Sequence, residues 1–419
     1  MVTGKAVRPR FSGVPALALA LMGAGACNAI LGNDEPTIAD DAGADGSSPT
    51  EHDGSSPVGD GGSTNDGSST NDGNASGDAG SDAPFVEIDS GPLPACMGAV
   101  CFVAAKQAGP YEIAVDSTYV YFTNQGATPA LDGGGGDGGG AVMRVNLDGS
   151  NPTALVLGLH APREILLDTN NVYWLSHDTP DDDGGGAGCI GMVAKTGGAA
   201  SFPVTSIPDD LLGLAMYEGN LVWGQPVEGL VGENLADAGG PIHMASGQFD
   251  VGGLVADSTG VYDLASSENP DGLPAILQTV TIGGGGLDTR STQLYEYQDP
   301  VIFGRAARGP KAIFFLDTLD DDVVAFDTNF NTPGIIATGQ NNAVDIAYDS
   351  ATNTIYWTLE GNPGGGYIDG QVLKSPAYPD AGAPQAIATN QPRPHGIAVA
   401  GNYVYWTNLL DGSIRFAPK

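Results

Sequence analysis

Past residue 93 the chain repeats one pattern: a short apolar run, a turn, then a run in which aliphatic and aromatic residues stand side by side. The aromatic runs read Val120-Tyr121-Phe122-Thr123-Asn124, Val172-Tyr173-Trp174-Leu175, Leu221-Val222-Trp223-Gly224, Val261-Tyr262-Asp263, Ile313-Phe314-Phe315-Leu316-Asp317, Ile355-Tyr356-Trp357-Thr358 and Val404-Tyr405-Trp406-Thr407-Asn408. Their second residues, at 121, 173, 222, 262, 314, 356 and 405, are spaced by 52, 49, 40, 52, 42 and 49. Most follow an apolar run such as Ile113-Ala114-Val115-Asp116 or Ile346-Ala347-Tyr348-Asp349. In the first copy two more strands come after the aromatic one, Val142-Met143-Arg144-Val145 and Ala154-Leu155-Val156-Leu157, around the turn Leu147-Asp148-Gly149-Ser150. Four short strands at this period are the signature of a propeller blade. Strands apolar on both faces suit sheets stacked between neighbours. No stretch outside the N-terminus carries a helical period of useful length. The expected fold is all-β, a seven-bladed β-propeller over residues 94–419; copies three to five diverge, which leaves six or eight blades as alternatives.

The seventh copy ends in its third strand, Gly412-Ser413-Ile414-Arg415-Phe416. An orphan strand, Val100-Cys101-Phe102-Val103-Ala104-Ala105, precedes the first copy. It is expected to supply the missing fourth strand of the last blade, which removes two open sheet edges.

The N-terminal part reads differently. Lys5, Arg8 and Arg10 precede a short apolar run from Val14 to Met22, then small residues, then Cys27. That order is a secretory signal, too short to span a membrane. Ala24-Gly25-Ala26-Cys27 resembles the lipobox of bacterial lipoproteins, although Ala24 stands where that family prefers Leu. The resemblance implies a signal over 1–26, diacylglycerol on Cys27 and, because Asn28 rather than Asp follows, an outer-membrane or cell-surface address. Several acyl chains would anchor the chain stably, where one binds only marginally. Residues 27–93 then read as a tether: segment 34–89 holds 14 acidic residues amid Gly, Ser, Asn, Thr and Pro. Such a composition cannot bury enough apolar surface to offset ordering entropy, so a flexible, charge-extended spacer is expected.

Charge narrows the classes further. The chain carries 15 Lys and Arg against 50 Asp and Glu, a net charge of −35 over 419 residues. So few cations cannot neutralise a phosphate backbone, and nucleic acid is excluded as a partner. The 64 Gly follow no strict G-X-Y period, so the chain is not collagen-like.

Four Cys occur. In an exported protein, Cys96 and Cys101 read as a disulfide. The loop it closes is small and its expected contribution is about 2 kcal/mol. Cys189 reads as a buried structural thiol. No Gly-x-Ser-x-Gly elbow or His-Glu-x-x-His motif occurs.

Two histidines, His160 and His395, stand near blade-entry turns with Arg163 and Arg393 beside them. Gly/Asp-rich insertions follow several aromatic runs and hold Asp132, Asp137, Asp181, Asp182, Asp183 and Asp369. Strand alternation puts these insertions and the entry turns at one end of a propeller. All ten residues are therefore a candidate binding face. Its carboxylates suit weak Ca²⁺ capture, in the range of about 10⁻⁴–10⁻³ M known for extracellular modules. No other cofactor is expected.

The motifs Tyr405-Trp406-Thr407-Asn408 and Tyr356-Trp357-Thr358 after Gly-Ile-Ala-Val-type strands resemble the YWTD and NHL groups of β-propellers, over roughly residues 95–419. Those groups contain receptor modules, scaffolds and a few enzymes. Asn124 and Asn408 replace the usual Asp. Pro394-His395-Gly396-Ile397 also resembles the turns of streptogramin lyases, which use His and Glu around a metal at the propeller mouth. The matching turns here read Pro110-Tyr111-Glu112 and Pro162-Arg163-Glu164, so a His cluster is not visible. The expected function is a lipid-anchored, non-catalytic binding or scaffold module with a protein or glycan ligand. The alternatives are a metal-dependent lyase or hydrolase at the mouth, and a structural protein of the envelope.

Overall fold

The computed structural model describes residues 96–126, 139–176, 188–207, 213–225, 229–235, 242–245, 251–265, 276–282, 289–296, 303–328 and 332–419. Cys27, the tether, Asp132, Asp137, Asp181, Asp182 and Asp183 lie outside them. Within them the chain forms seven four-stranded antiparallel sheets. Blades 1 to 6 cover 110–159, 162–207, 214–245, 251–296, 303–337 and 343–391. Blade 7 covers 394–418 and takes its fourth strand, Cys101–Ala104, from the start of the domain. The first strand of every blade packs against those of both neighbours, so seven blades close a ring around one axis.

The aromatic runs explain the stacking. Successive side chains of a strand point to opposite faces. In each run the first of the central pair turns toward the next blade and the second toward the preceding one. Tyr356 joins the cluster between blades 6 and 7, with Val404 and Trp406, while Trp357 joins the cluster between blades 5 and 6, with Phe314. Tyr405 likewise reaches blade 1, beside Phe122, and Tyr173 reaches blade 3, beside Trp223. The core is seven such clusters, one at each junction. Burying a large aromatic side chain contributes about 2–3 kcal/mol, so these pairs supply much of the force that holds blade to blade.

Polar residues finish each junction. The Asp that ends an inner strand caps its own turn: Asp116 Oδ1 accepts from the backbone N–H of Thr118 and Tyr119. Asp168 does the same for Asn170 and Asn171. Three of these carboxylates also receive a cation from the following blade. Lys195 reaches Asp116 at 3.0 Å, Arg308 reaches Asp257 at 2.7 Å and Lys419 reaches Asp349 at 2.8 Å. Cys96 and Cys101 are joined in a disulfide at the entrance to the closing strand. Cys189 is a buried thiol in the third strand of blade 2.

Candidate functional site at the axial mouth

The inner strands run Pro110–Val115, Pro162–Leu167, Leu214–Tyr217, Val251–Asp257, Phe303–Arg308, Ala343–Asp349 and Pro394–Ala400. Six of them lose register with the second strand near their start. Such bulges bend a strand and re-aim its side chains. One position just inside the irregularity recurs around the ring. It directly precedes the residue that pairs with the second aromatic of each run, and it reads Glu112, Glu164, Gly213, Gly253, Arg305, Asp345 and Gly396. Two of its glycines are demanded by close approach. A Cβ at Gly396 would lie 2.7 Å from the Tyr111 carbonyl oxygen, and one at Gly253 would lie 2.9 Å from that of Gly304. The charged members fill the axis that the glycines leave open.

Arg305 of blade 5 crosses the axis. Its Nη2 donates to Glu112 Oε1 of blade 1 at 2.7 Å, and its Nη1 pairs with Glu164 of blade 2. Asp345 of blade 6 accepts from the Ile397 N–H at 2.7 Å and from the Ile346 N–H at 2.8 Å. Burial raises Asp345 to about 6 against the pull of Arg305. Burial also raises Glu112, and the nearby Asp345 and Glu164 push the same way. Three carboxyls thus share the guanidinium. Their attraction holds Arg305 protonated well beyond the usual range.

His395 of blade 7 sits beside this cluster. Its Nδ1 lies 3.7 Å from Glu112 Oε1 and its Nε2 lies 4.0 Å from Glu360 Oε1. The ring packs on Tyr111 with centroids 3.9 Å apart. Burial, then the charges of Arg305 and Arg393, lower its pKa to about 3, so the imidazole is neutral at physiological pH. Its Nδ1 is buried without a hydrogen-bond partner. Arg393 is held from three sides. Its Nε lies 3.2 Å from Glu360 Oε1, its guanidinium stacks 4.6 Å from the Tyr367 ring centroid, and its N–H donates to the Tyr367 carbonyl at 2.8 Å. The contact to Glu360 is an ion pair without the alignment of a hydrogen bond.

The threonines of the aromatic runs set the backbone of this site. Thr358 Oγ1 donates to the His395 carbonyl at 2.6 Å. Thr407 Oγ1 accepts from the Gly396 N–H at 3.0 Å and donates to the Tyr111 carbonyl at 2.7 Å. Thr123 Oγ1 accepts from the Glu112 N–H at 3.1 Å. The same motif that marks the repeat therefore fixes the residues at the mouth.

Of the residues singled out from sequence, His395, Arg393 and Arg163 come together here. The charge of Arg163 acts on both Tyr111 and His395. His160 stands in the turn that enters blade 2, and its Nδ1 is buried without a partner. Asp369 is elsewhere on the same end. It lines a polar cleft of about 440 Å³ with Asn341, Asn342, Asn362 and Gln371. Its Oδ1 accepts from the Asn362 N–H at 2.8 Å and so ties its own loop. The other five aspartates lie outside the described residues. Sequence reading missed Arg305, Asp345 and Glu360 and gave Glu112 and Glu164 no role. Aligning the seven copies and reading the single column before the paired apolar residue would have found four of these five.

The streptogramin-lyase resemblance implies a metal between His and Glu. The residues present do not fit one: Arg305 occupies both Glu112 and Glu164. Among the described residues, no three His, Cys, Asp or Glu side chains converge as a ligand set. The arrangement can instead hold a polar ligand against fixed charges, or exchange a proton between a neutral imidazole and a carboxyl of raised pKa.

Neither a family model nor a curated protein matches this chain. Solved structures do. Virginiamycin B lyase from Staphylococcus aureus is 14% identical with a TM-score of 0.54, over 74% of this chain and 95% of that one. A catalytically inactive variant of the same lyase with Quinupristin gives 13% and 0.51, over 74% and 95%. A chain of the mitotic checkpoint complex gives 10% and 0.50, over 76% and 93%. Likeness at these identities establishes the propeller fold alone.

Proposed function

We propose that this chain is an exported lipoprotein, anchored at the outer membrane or cell surface through Cys27, whose propeller is a non-catalytic binding module with the axial mouth as its site. The observation that carries the binding reading is Arg305. It reaches from blade 5 across the axis and ties together the carboxylates of blades 1 and 2, which makes the mouth a rigid, pre-formed polar floor. Preorganisation of this kind lowers the cost of binding. The anchor rests on the order of basic, apolar and small residues before Cys27. Labelling cells with a palmitate analogue tests it: the native chain takes the label and Cys27→Ser does not. Equal labelling of both ends the lipoprotein reading.

A second reading is a lyase or hydrolase working by proton transfer at the same mouth. It is favoured by the neutral, unpartnered His395 Nδ1 facing Glu112 across 3.7 Å. Turnover of a lactone or ester panel that disappears in His395→Gln would select it over the binding module.

A further inference from the structure

Among the described residues the mouth holds three arginines, and two of them are spent. Arg305 is shared by Glu112 and Glu164, and Arg393 is held by Glu360 and Tyr367. Arg163 has no hydrogen bond or ion pair among the described residues, and its Nε is buried without an acceptor. In a chain with 15 cations and 50 acidic residues, a guanidinium beside the axis with no captor among the described residues is an exception. Two imidazole nitrogens share its condition: His160 Nδ1, three residues ahead of it, and His395 Nδ1, on a residue only 7% exposed. A buried polar atom left unpaired costs about 1–3 kcal/mol. Arg163 and His395, whose charges and burial are felt together at the mouth, point to a group that completes them.

We propose that the axial mouth takes a small ligand through a carboxylate, with the Arg163 guanidinium as counter-ion and His395 Nδ1 as a second polar contact. This names the ligand class of the mouth and rests on the mouth being the binding site. A carboxylate matches the planar fork of a guanidinium. One uncommitted cation balances a single negative charge. A dianionic phosphate would face Glu112, Glu164, Asp345 and Glu360 with only one cation in its favour. The neutral His395 adds a hydrogen bond without adding charge, and the Tyr111 ring stacked on it supplies an apolar wall.

The test is an NMR titration of the histidine ring signals in the full chain, with the His395 signal assigned by its loss in His395→Gln. The probes are acetate, benzoate and N-acetylalanine, each beside its primary amide. A saturable shift of the His395 signal by a carboxylate, and not by its amide, is expected. Arg163→Gln should weaken that carboxylate by about tenfold or more, as loss of a charged hydrogen bond requires. Arg163→Lys, which keeps the charge without the fork, should weaken it less. Lys311→Gln, on an exposed turn at the opposite end of blade 5, should leave it unchanged. If an amide shifts the signal as its acid does, or Arg163→Gln binds as tightly as the native chain, the carboxylate is wrong and the mouth survives as a site. If no probe moves the His395 signal, both fall.

Discussion

Blades 6, 7 and 1 and blades 3 and 4 share one architecture and are held by different means. In the first arc the aromatic runs read Tyr-Trp-Thr at 356–358 and 405–407 and Tyr-Phe-Thr at 121–123. Two of the threonines bond across to the next inner strand. The Trp357 and Trp406 indoles donate to Gln340 and Gln391 at 3.0 and 3.2 Å. In the second arc the runs read Val-Trp-Gly at 222–224 and Tyr-Asp-Leu at 262–264. Gly224 offers no hydroxyl. Asp263 occupies the position that is Phe or Trp in the other six blades and is 0% exposed. Burial alone pushes its carboxyl up to about 7. The difference teaches that stacking tolerates a lost aromatic, because each blade is clasped from both sides. The hydroxyl latches, in contrast, gather where the ring closes and where His395 and Tyr111 must be placed.

The largest effect should come from breaking the closed arc. Deletion of residues 28–92 should leave the thermal midpoint nearly unchanged, whereas deletion through Ala105 should unfold or aggregate the domain by opening two edges. Equal melting of the two truncations, read by circular dichroism, would show that the closing strand does not hold the ring together.

A smaller but opposite pair of effects is expected in the aromatic column. Trp406→Ala should cost about 3–5 kcal/mol, as large core truncations do. Asp263→Leu should stabilise at and above neutral pH, because it removes the cost of ionising a carboxyl that burial holds at about 7. Denaturant midpoints of the two variants moving in the same direction would show that the arcs are not different in kind.

The pH dependence sharpens the contrast. Asp263 has a folded pKa of about 7, above its unfolded value near 3.9. The native state therefore binds the extra proton, and stability falls as pH rises between those values, by up to about 4 kcal/mol for full ionisation. His395 acts in the other sense. Its folded pKa of about 3 lies below the ordinary 6.5, so the unfolded state binds the extra proton and stability falls as pH drops through that window. Asp263→Asn should flatten the loss toward neutral pH, and His395→Gln should flatten the loss on acidification. Parallel pH profiles of native chain and variants would contradict these environments.

The smallest effect is the latch itself. Thr407→Val keeps shape and loses both the bond to Tyr111 and the one accepted from the Gly396 N–H, at a cost of about 1–3 kcal/mol. It should also displace the His395 ring signal, which a purely peripheral threonine would not do.

Much of the fold was legible because a propeller writes its period into the chain. The aromatic runs, the orphan strand at 100–105 and the Cys96–Cys101 bridge all follow from local pattern. The mouth was not legible for a different reason. Arg305 lies in Phe303-Gly304-Arg305-Ala306-Ala307-Arg308, which lacks the apolar run that marks other copies. Its partners come from two other blades, and no periodicity reports which member of a column crosses the axis. The bulge that turns Glu112 and Glu164 inward also shifts the register by which a reader would align them. Asp369 belongs to the expected binding face, and in sequence a carboxylate that ties its own loop reads the same as one that faces a ligand.

The closing strand also orders events in time. Phe102 pairs with Arg415, so the first strand of the propeller finds its partner only after the strands of all seven blades have been made. Contacts this distant along the chain form late and slowly. Until then the nascent propeller is a curved stack with an open edge at each end, the state most exposed to mispairing with other chains. The step that seals the ring is thus the last one, and everything that protects the chain before it must act on an incomplete molecule.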